Sequence, residues 1–341
     1  MLYHDKEGRP VGRVTNIQRY TIHDGPGIRT EIFFKGCTMH CLWCSNPETI
    51  RPGRELGFYP SKCMTKDKCG WCIRACSQGG APLVFDSEGL IAVTDGTKCV
   101  GCMRCADVCP NHAIKSWGED KTIEELMAVI RADESFYRRT GGGVTLNGGE
   151  ALVQWEFVRM LLQACREEGI NTCVESALCV PMEHMEAVLP YVDLLITDIK
   201  HMDPTTHETL TGQSNRQILA NIRRAFELGT KLVIRTPVVH GYNSDEENIR
   251  RTGAFLRDEL KGNIVAWQLL PYRRMGTEKY ESLRRQYPFE DYPTPEREVW
   301  EAELLHLAEL MRAEYGLPAV AGSGSRLELD REEKGQKSDP V

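Results

Sequence analysis

The sequence lacks any apolar run close to the roughly 20 residues that a membrane-spanning helix needs. Its start, Met1 to Arg13, carries charges and shows neither a secretory nor a twin-arginine signal. Positive charge is not in excess either, because 42 Lys and Arg stand against 49 Asp and Glu, a formal net charge of −7. These absences argue against a membrane or nucleic-acid role, and we expect a cytoplasmic protein.

Cysteine, in contrast, is abundant, with fourteen residues. In the cytoplasm thiols stay reduced, so clustered cysteines predict metal ligands rather than disulfides. Three stand apart, Cys165, Cys173 and Cys179, and we interpret them as small buried hydrophobic residues. The other eleven form three groups: Cys37, Cys41 and Cys44; then Cys63, Cys69, Cys72 and Cys76; then Cys99, Cys102, Cys105 and Cys109.

Short apolar runs that alternate with longer amphipathic segments predict a parallel sheet with crossover helices. The predicted strands are residues 31–34, 144–147, 172–175, 194–198, 232–236 and 264–270. Helices are expected at 155–168, 215–228 and 246–260, where apolar residues recur at helical spacing. This pattern predicts an α/β fold in the form of a partial barrel, with functional residues at the carboxyl ends of the strands.

The chain divides into four segments by composition. Residues 1–51 begin the barrel and carry the first cysteine group, and residues 52–115 form a Cys-, Gly- and Lys-rich insert without regular periodicity. Residues 116–320 complete the barrel. Residues 321–341 are rich in charges and poor in apolar residues, so we expect a disordered tail.

The first cysteine group suits an open iron–sulfur site. Cys37, Cys41 and Cys44 are separated by three and two residues and follow a predicted strand directly. Three thiolates can hold three irons of a [4Fe–4S] cube, which leaves the fourth iron free for a chelating substrate. The spacing, with Trp43 before the last cysteine, resembles the signature of the radical S-adenosylmethionine (SAM) superfamily. A zinc site completed by His40 is the alternative.

A second segment narrows the resemblance to one family, the glycyl radical enzyme activating enzymes. Residues 22–30 read Ile-His-Asp-Gly-Pro-Gly-Ile-Arg-Thr, which is similar to that family's hallmark upstream of the cluster loop. By its own chemistry the segment is a turn. The resemblance implies a radical SAM (β/α)6 barrel and contact with a partner glycyl radical enzyme through Asp24, Gly25, Pro26, Gly27 and Arg29.

The resemblance also implies a set of SAM-binding residues at strand ends. Gly148, Gly149 and Glu150 would meet the amino end of SAM, and Arg235 would hold its carboxylate. The remaining implied contacts are Asp198 and Lys200 beside SAM, peripheral Asn46, and Glu175 and Ser176, which with Asp198 resemble a monovalent cation site. Lys200 also joins the three cysteines as a catalytic residue. Ordinary salt bridges are the alternative for Lys200 and Arg235.

The insert resembles a bacterial ferredoxin. Cys99, Cys102, Cys105 and Cys109, followed by Pro110, match the ferredoxin spacing in which the fourth cysteine serves the other cluster. The earlier group departs from it in a long first gap and in Ser77 instead of proline. We therefore predict two further [4Fe–4S] clusters, one held by Cys63, Cys69, Cys72 and Cys109 and one by Cys76, Cys99, Cys102 and Cys105. Two zinc ribbons are the alternative.

Together these features predict a monomeric glycyl radical enzyme activase with three [4Fe–4S] clusters. Reduced flavodoxin or ferredoxin would supply an electron, SAM would give methionine and a 5′-deoxyadenosyl radical, and the radical would take hydrogen from a partner's glycine. A radical SAM enzyme with another target and a plain electron carrier are the alternatives. Where many relatives have a His, this chain has Arg273, and His201 and His240 carry no assigned role.

Overall fold

The computed structural model describes residues 2–323. The strands of this part of the chain are β1 Tyr3–His4, β2 Pro10–Thr21, β3 Arg29–Phe34, β4 Glu55–Phe58, β5 Leu83–Phe85, β6 Ile91–Thr94, β7 Ile114–Trp117, β8 Glu119–Thr122, β9 Gly143–Gly148, β10 Asn171–Glu175, β11 Leu194–Asp198, β12 Leu232–Val238, β13 Ala266–Pro271 and β14 Ala319–Ala321. The helices are α1 Trp71–Ala75, α2 Arg104–Asp107, α3 Ile123–Ala132, α4 Glu134–Thr140, α5 Trp155–Glu167, α6 Met182–Val188, α7 Pro204–Thr211, α8 Arg216–Glu227, α9 Glu246–Asp258, α10 Thr277–Ser282 and α11 Arg297–Tyr315.

One ten-stranded sheet organises the molecule. Along its path β3, β9, β10, β11, β12, β13 and β14 lie side by side and run parallel. The six predicted strands are the first six of these, in the predicted order. The mixed α/β fold with a parallel sheet is therefore confirmed and is consistent with a partial barrel. Because parallel neighbours end at the same edge, the loops after these strands meet there.

The sheet extends beyond the prediction on one side through antiparallel strands. The twelve-residue β2 pairs with β3, with β1 and with β8, all antiparallel. Its sequence mixes polar and apolar residues, and three of its twelve residues are buried. The six-strand prediction missed this extension because only strands buried on both faces appear as continuous apolar runs.

Buried apolar faces hold the helices against the sheet. The three predicted helices form as α5, α8 and α9, within two residues of the expected ends. On α5, Phe157, Leu161, Leu162 and Cys165 are fully buried, as the helical spacing predicted. The Asp245 carboxylate accepts a hydrogen bond from the Asn248 amide at 2.8 Å and caps α9. Among residues 2–323 no helix is both long and apolar enough to cross a bilayer.

The chain between β4 and β7 forms a small substructure with its own apolar cluster. β4 pairs with β7, and β5 pairs with β6, in two antiparallel two-stranded sheets beside α1 and α2. Its attachment to the barrel includes buried Lys35, whose Nζ lies 2.9 Å from Glu55 Oε2, and Arg285, whose Nη2 lies 2.5 Å from Glu55 Oε1. At the other end of the chain, β14 includes Ala321, and residues 324–341 of the expected tail lie outside the described residues.

Candidate active site

The loop after β3 carries Cys37, Cys41 and Cys44. Gly36 starts the loop with a φ of +108°, which favours glycine, and its amide bonds to the Thr49 carbonyl at 2.6 Å. Backbone amides of the residues two positions ahead point at the thiols of Cys37 and Cys44, each at 3.4 Å. The loop therefore brings the predicted cysteines together in a backbone cradle at the carboxyl edge of the sheet.

The three thiols lie in a buried environment that disfavours a free thiolate. Burial raises the pKa of all three thiols, and that of Cys41 reaches about 12 although Lys200 opposes the effect. A thiol in such a place ionises when a metal takes the proton's position. His40, the candidate fourth zinc ligand, is exposed, and its ring lies beside Gly212.

The end of β9 packs directly against the cysteine loop. A Cβ on Gly148, at a φ of +124°, would lie 2.3 Å from the Phe34 amide nitrogen. A Cβ on Gly149 would lie 2.4 Å from the Gly36 carbonyl oxygen and 3.0 Å from Cys37 Cβ. Both positions require glycine, because a side chain on Gly148 would clash with β3 and one on Gly149 would clash with the start of the cysteine loop.

Glu150 presents an unpaired carboxylate oxygen within this site. Its side chain is fully buried, and Oε1 accepts hydrogen bonds from Ser176 Oγ at 2.7 Å and from the Leu152 amide at 3.1 Å. Oε2 has no partner among residues 2–323. Burial raises the pKa of Glu150 to about 6, which the Ser176 hydroxyl, the Leu152 and Ala177 amides and the charge of Lys200 oppose. Such an oxygen suits an ammonium group, and the amino end of SAM is one.

Arg235, on β12, reaches across the strand ends to the segment that resembles the family hallmark. Its Nη1 lies 2.7 Å from Asp24 Oδ1 and 2.6 Å from Glu175 Oε1, and Nη2 donates to the His23 carbonyl at 2.8 Å. Nε donates to Gln268 Oε1 at 2.9 Å. Burial opposes the charge of Arg235, but the carboxylates outweigh it and its pKa is raised. The guanidinium is thus a cation held in place at the carboxyl ends of the parallel strands.

The other predicted residues lie at the same edge. Lys200 is buried, and its Nζ is 2.9 Å from Asp198 Oδ2. Burial works against the Lys200 charge, but Asp198 and Cys41 offset it, so the pKa is raised. Asn46 follows the cysteine loop, and its Oδ1 accepts a hydrogen bond from Lys279 Nζ at 2.8 Å.

Arg29 differs from the other residues of its segment because it is completely buried. It donates from Nε to Thr145 Oγ1 at 2.6 Å, from Nη2 to the Val144 carbonyl at 2.6 Å and from Nη1 to the Pro26 carbonyl at 3.0 Å. Burial lowers its pKa. These bonds tie the Asp24–Gly27 turn to β9, so Arg29 shapes the turn from beneath.

Sequence reasoning missed Glu31 as a site residue. Glu31 lies in the middle of β3, is 2% exposed, and accepts from Asn147 Nδ2 at 3.2 Å. Burial and the neighbouring Asp24 raise its pKa. The sequence did contain a signal for Glu31, namely an acidic residue inside a strand predicted to be buried.

The three residues without an assigned role, His201, His240 and Arg273, contact residues close to them. His201 Nδ1 accepts from the Asp203 amide at 2.9 Å. His240 and Arg273 lie at the surface, 3.4 Å from Glu303 and 3.7 Å from Glu301, respectively.

Two cysteine-lined cavities lie in the substructure between β4 and β7. The first is lined by four cysteines, Cys63, Cys69, Cys72 and Cys109. The second is lined by Cys76, Cys99, Cys102 and Cys105. Outside the groups, Cys165 and Cys173 are fully buried and Cys179 is half-buried.

Comparison with known proteins identifies the family. The model of the Radical SAM superfamily matches residues 97–252. The (2S)-3-sulfopropanediol dehydratase activating enzyme of Klebsiella oxytoca is 43% identical over 92% of this chain and 98% of its own length. The isethionate sulfite-lyase activating enzyme of Oleidesulfovibrio alaskensis is 41% identical over 83% of this chain and 90% of its own length. The choline trimethylamine-lyase activating enzyme of the same organism is 41% identical over 82% of this chain and 89% of its own length.

These relatives confirm the predicted family. They also confirm an enzyme that uses SAM and a [4Fe–4S] cluster. The chain belongs to the glycyl radical enzyme activating enzymes of the radical SAM superfamily, which cleave SAM to methionine and a 5′-deoxyadenosyl radical in order to activate glycyl radical enzymes.

Proposed function

We propose that Cys37, Cys41 and Cys44 hold the [4Fe–4S] cluster that carries out this reaction. The observation that carries the proposal is the contact between the cysteine loop and the end of β9, where two glycines allow an approach that any Cβ would block. When bound, the cluster supplies the electron for SAM cleavage through its open iron. The protein's part is to orient SAM and to exclude water from it.

Three residues would fix SAM beside that cluster. Glu150 Oε2 would accept from the ammonium group, because it is buried and without a partner among residues 2–323. Arg235 would turn its guanidinium fork to the SAM carboxylate and exchange part of its contact with Asp24 or Glu175. Lys200, close enough to Cys41 to affect its thiol pKa, would add positive charge on the cluster side.

The acidic groups around Arg235 support the monovalent cation site that the resemblance implies. Burial raises the pKa of Glu175, with Asp24 adding to the effect and Arg235 opposing it. Once Arg235 binds the SAM carboxylate, a cation would find oxygen ligands on Glu175, Ser176 and Asp198. Asn46 would contact SAM at the periphery, where Lys279 now binds it.

Residues 52–115 would form a ferredoxin-like insert with two more [4Fe–4S] clusters between the barrel segments 1–51 and 116–320. Each cavity is lined by the four cysteines that the ferredoxin spacing pairs across the two groups. The two halves also repeat one backbone feature, since Gly70 and Met103 both have a φ of +61° immediately before α1 and α2. Reduced flavodoxin or ferredoxin would supply the electrons to a monomeric activase.

The turn Asp24–Gly27 would meet the glycine-bearing segment of the partner enzyme. Gly25 and Gly27 have φ values of +122° and +67°, and Arg29 holds the turn from below. Arg29 would thus contribute by positioning the turn rather than by touching the partner.

The test separates the open cluster from the insert clusters. Anaerobically reconstituted Cys41→Ala should form no 5′-deoxyadenosine from SAM with dithionite, whereas Cys102→Ala should still bind SAM and lose turnover. The matched control is Cys165→Ala, which removes a buried thiol remote from any cysteine group and should keep its cluster iron. Equal, mild losses for Cys41→Ala and Cys102→Ala would contradict the assignment.

A further inference from the structure

An exposed apolar surface lies directly over the first cysteine-lined cavity. Trp71 and Met64 both line this cavity, yet they are 51% and 41% exposed. Trp71 directly precedes Cys72, and both residues line the cavity. Large exposed apolar side chains that adjoin a functional centre are typical of protein interaction sites.

Exposed positive charge adjoins the same cavity, since Lys62 and Lys66 line it and Lys68 and Arg74 belong to the same segment of the chain. Lys62, Lys66, Lys68 and Arg74 are exposed, and none of the four forms an ion pair with an acidic residue in 2–323. Within residues 62–74 these four cations stand against one acidic residue, Asp67. We call the four cations with Trp71 and Met64 the basic face. In a chain of net charge −7, such a face concentrates positive charge locally and attracts an acidic partner.

The backbone presents this face in a fixed conformation. Thr65 has a φ of +68°, a left-handed conformation that is unfavourable for a β-branched residue. The Lys66 amide bonds to the Gly89 carbonyl at 2.8 Å, and Arg74 Nη2 bonds to the Cys69 carbonyl at 2.9 Å. A strained residue held by such bonds between exposed side chains indicates a functional surface.

The second cavity has a different rim. Val100 is exposed there, but Lys98 Nζ is paired with Asp95 Oδ2 at 3.1 Å. Arg104 adds one further exposed cation. The two rims therefore differ in free positive charge although both cavities are lined by four cysteines.

We propose that the basic face is the docking surface for a small acidic one-electron carrier protein. The inference rests on the proposed cluster held by Cys63, Cys69, Cys72 and Cys109. The carrier, as a reduced flavin or iron–sulfur protein, is oxidised by one electron and this cluster is reduced by one electron. No bond forms or breaks. Trp71 and Met64 would supply the apolar contact area of this interface.

The experiment compares two charge-reversal variants of equal size. Lys66→Glu/Lys68→Glu reverses the basic face, and Lys98→Glu/Arg104→Glu reverses the rim of the second cavity. Stopped-flow spectroscopy follows reduction of each reconstituted protein by flavodoxin hydroquinone at low and high salt. We expect the first variant to be reduced about 10-fold or more slowly at low salt and to lose most of its salt dependence, whereas the second behaves like the wild type.

Dithionite provides the second arm because it needs no docking surface. Both variants should keep full iron content and full 5′-deoxyadenosine formation with dithionite, so loss with flavodoxin alone supports the proposal. Equal slowing of both variants by flavodoxin overturns it, as does slowing of the second variant alone. A glycyl radical yield that falls with dithionite as the reductant assigns the basic face to the glycyl radical enzyme instead. Wild-type protein that makes no 5′-deoxyadenosine with dithionite refutes the proposed function itself.

Discussion

Glu150→Gln should weaken SAM binding and, at the same time, stabilise the ligand-free protein. The variant keeps the shape of the side chain and removes its charge. Glu150 is fully buried, with hydrogen bonds to Oε1 and none to Oε2 among residues 2–323. The carboxylate is therefore an unfavourable group that a ligand ammonium would compensate.

The pKa of Glu150 sets the size of the stability effect. Burial raises that pKa from 4.5 to about 6. Below pH 4.5 the carboxyl is protonated in folded and unfolded chains alike. Between pH 4.5 and about 6 the unfolded chain ionises this carboxyl while the folded chain keeps its proton, so the free energy of unfolding falls by about 2 kcal/mol relative to acid and then levels off. The Gln variant lacks this loss, so its gain over wild type should be about 1 kcal/mol larger at pH 8 than at pH 5.

Binding should change in the opposite direction. Loss of a charge-assisted hydrogen bond costs about 1.5 to 3 kcal/mol, which raises the Kd for SAM roughly 10- to 100-fold at pH 8. In the wild type the affinity should also decline below pH 6, where Glu150 becomes protonated. In the variant the affinity should not show this decline.

Two measurements decide the matter. Urea unfolding of the ligand-free protein at pH 5 and pH 8 gives the stability difference, and SAM titration of the reconstituted cluster by electron paramagnetic resonance gives the Kd. Glu208→Gln, which neutralises an exposed carboxylate on α7, is the control. An unchanged SAM affinity in Glu150→Gln would refute the contact, and equal gains at both pH values would refute the buried charge.

Two further predictions concern the frame of the site. Arg29→Lys should lower the free energy of unfolding by about 3 kcal/mol or more. A single ammonium group leaves several buried partners of the guanidinium unpaired, at about 1 to 3 kcal/mol each. A urea midpoint equal to that of the exposed control Arg138→Lys would contradict this. Gly149→Ala should raise the Kd for SAM at least about 10-fold with little loss of iron, because a Cβ 2.4 Å from the Gly36 carbonyl moves the strand end away from the cluster loop. Gly96→Ala, where a Cβ meets nothing within 4 Å, is its control, and equal SAM affinity in the two variants would exclude the steric argument.

Local sequence was sufficient for the parallel part of the fold. The strands β3 and β9 to β13 are buried, so each appears as an apolar run that stands out against its helical neighbours. The antiparallel β2 and the nineteen-residue α11 were missed. Their polar residues face solvent, which weakens the apolar pattern on which the prediction depended.

Position along the strands was also enough to place many candidate residues at one edge. Cys37, Glu150, Ser176 and Asp198 each follow or end a parallel strand, and parallel strands finish together. This reasoning could not predict which of these side chains form ion pairs or how burial changes their pKa values. Glu31 looked like the first residue of a strand, but the structure buries it near Asp24 and Asn147.

The sequence by itself determined the family, the parallel strand order and the cysteine groups, because each depends on short-range spacing or on the burial of one segment. Only the tertiary structure decided that Arg235 pairs with Asp24, 211 positions away, and that Arg29 lies beneath the turn. It also decided which oxygen of Glu150 stays unpaired. These features arise from the distances between segments remote in the chain, and spacing along one segment carries no information about them.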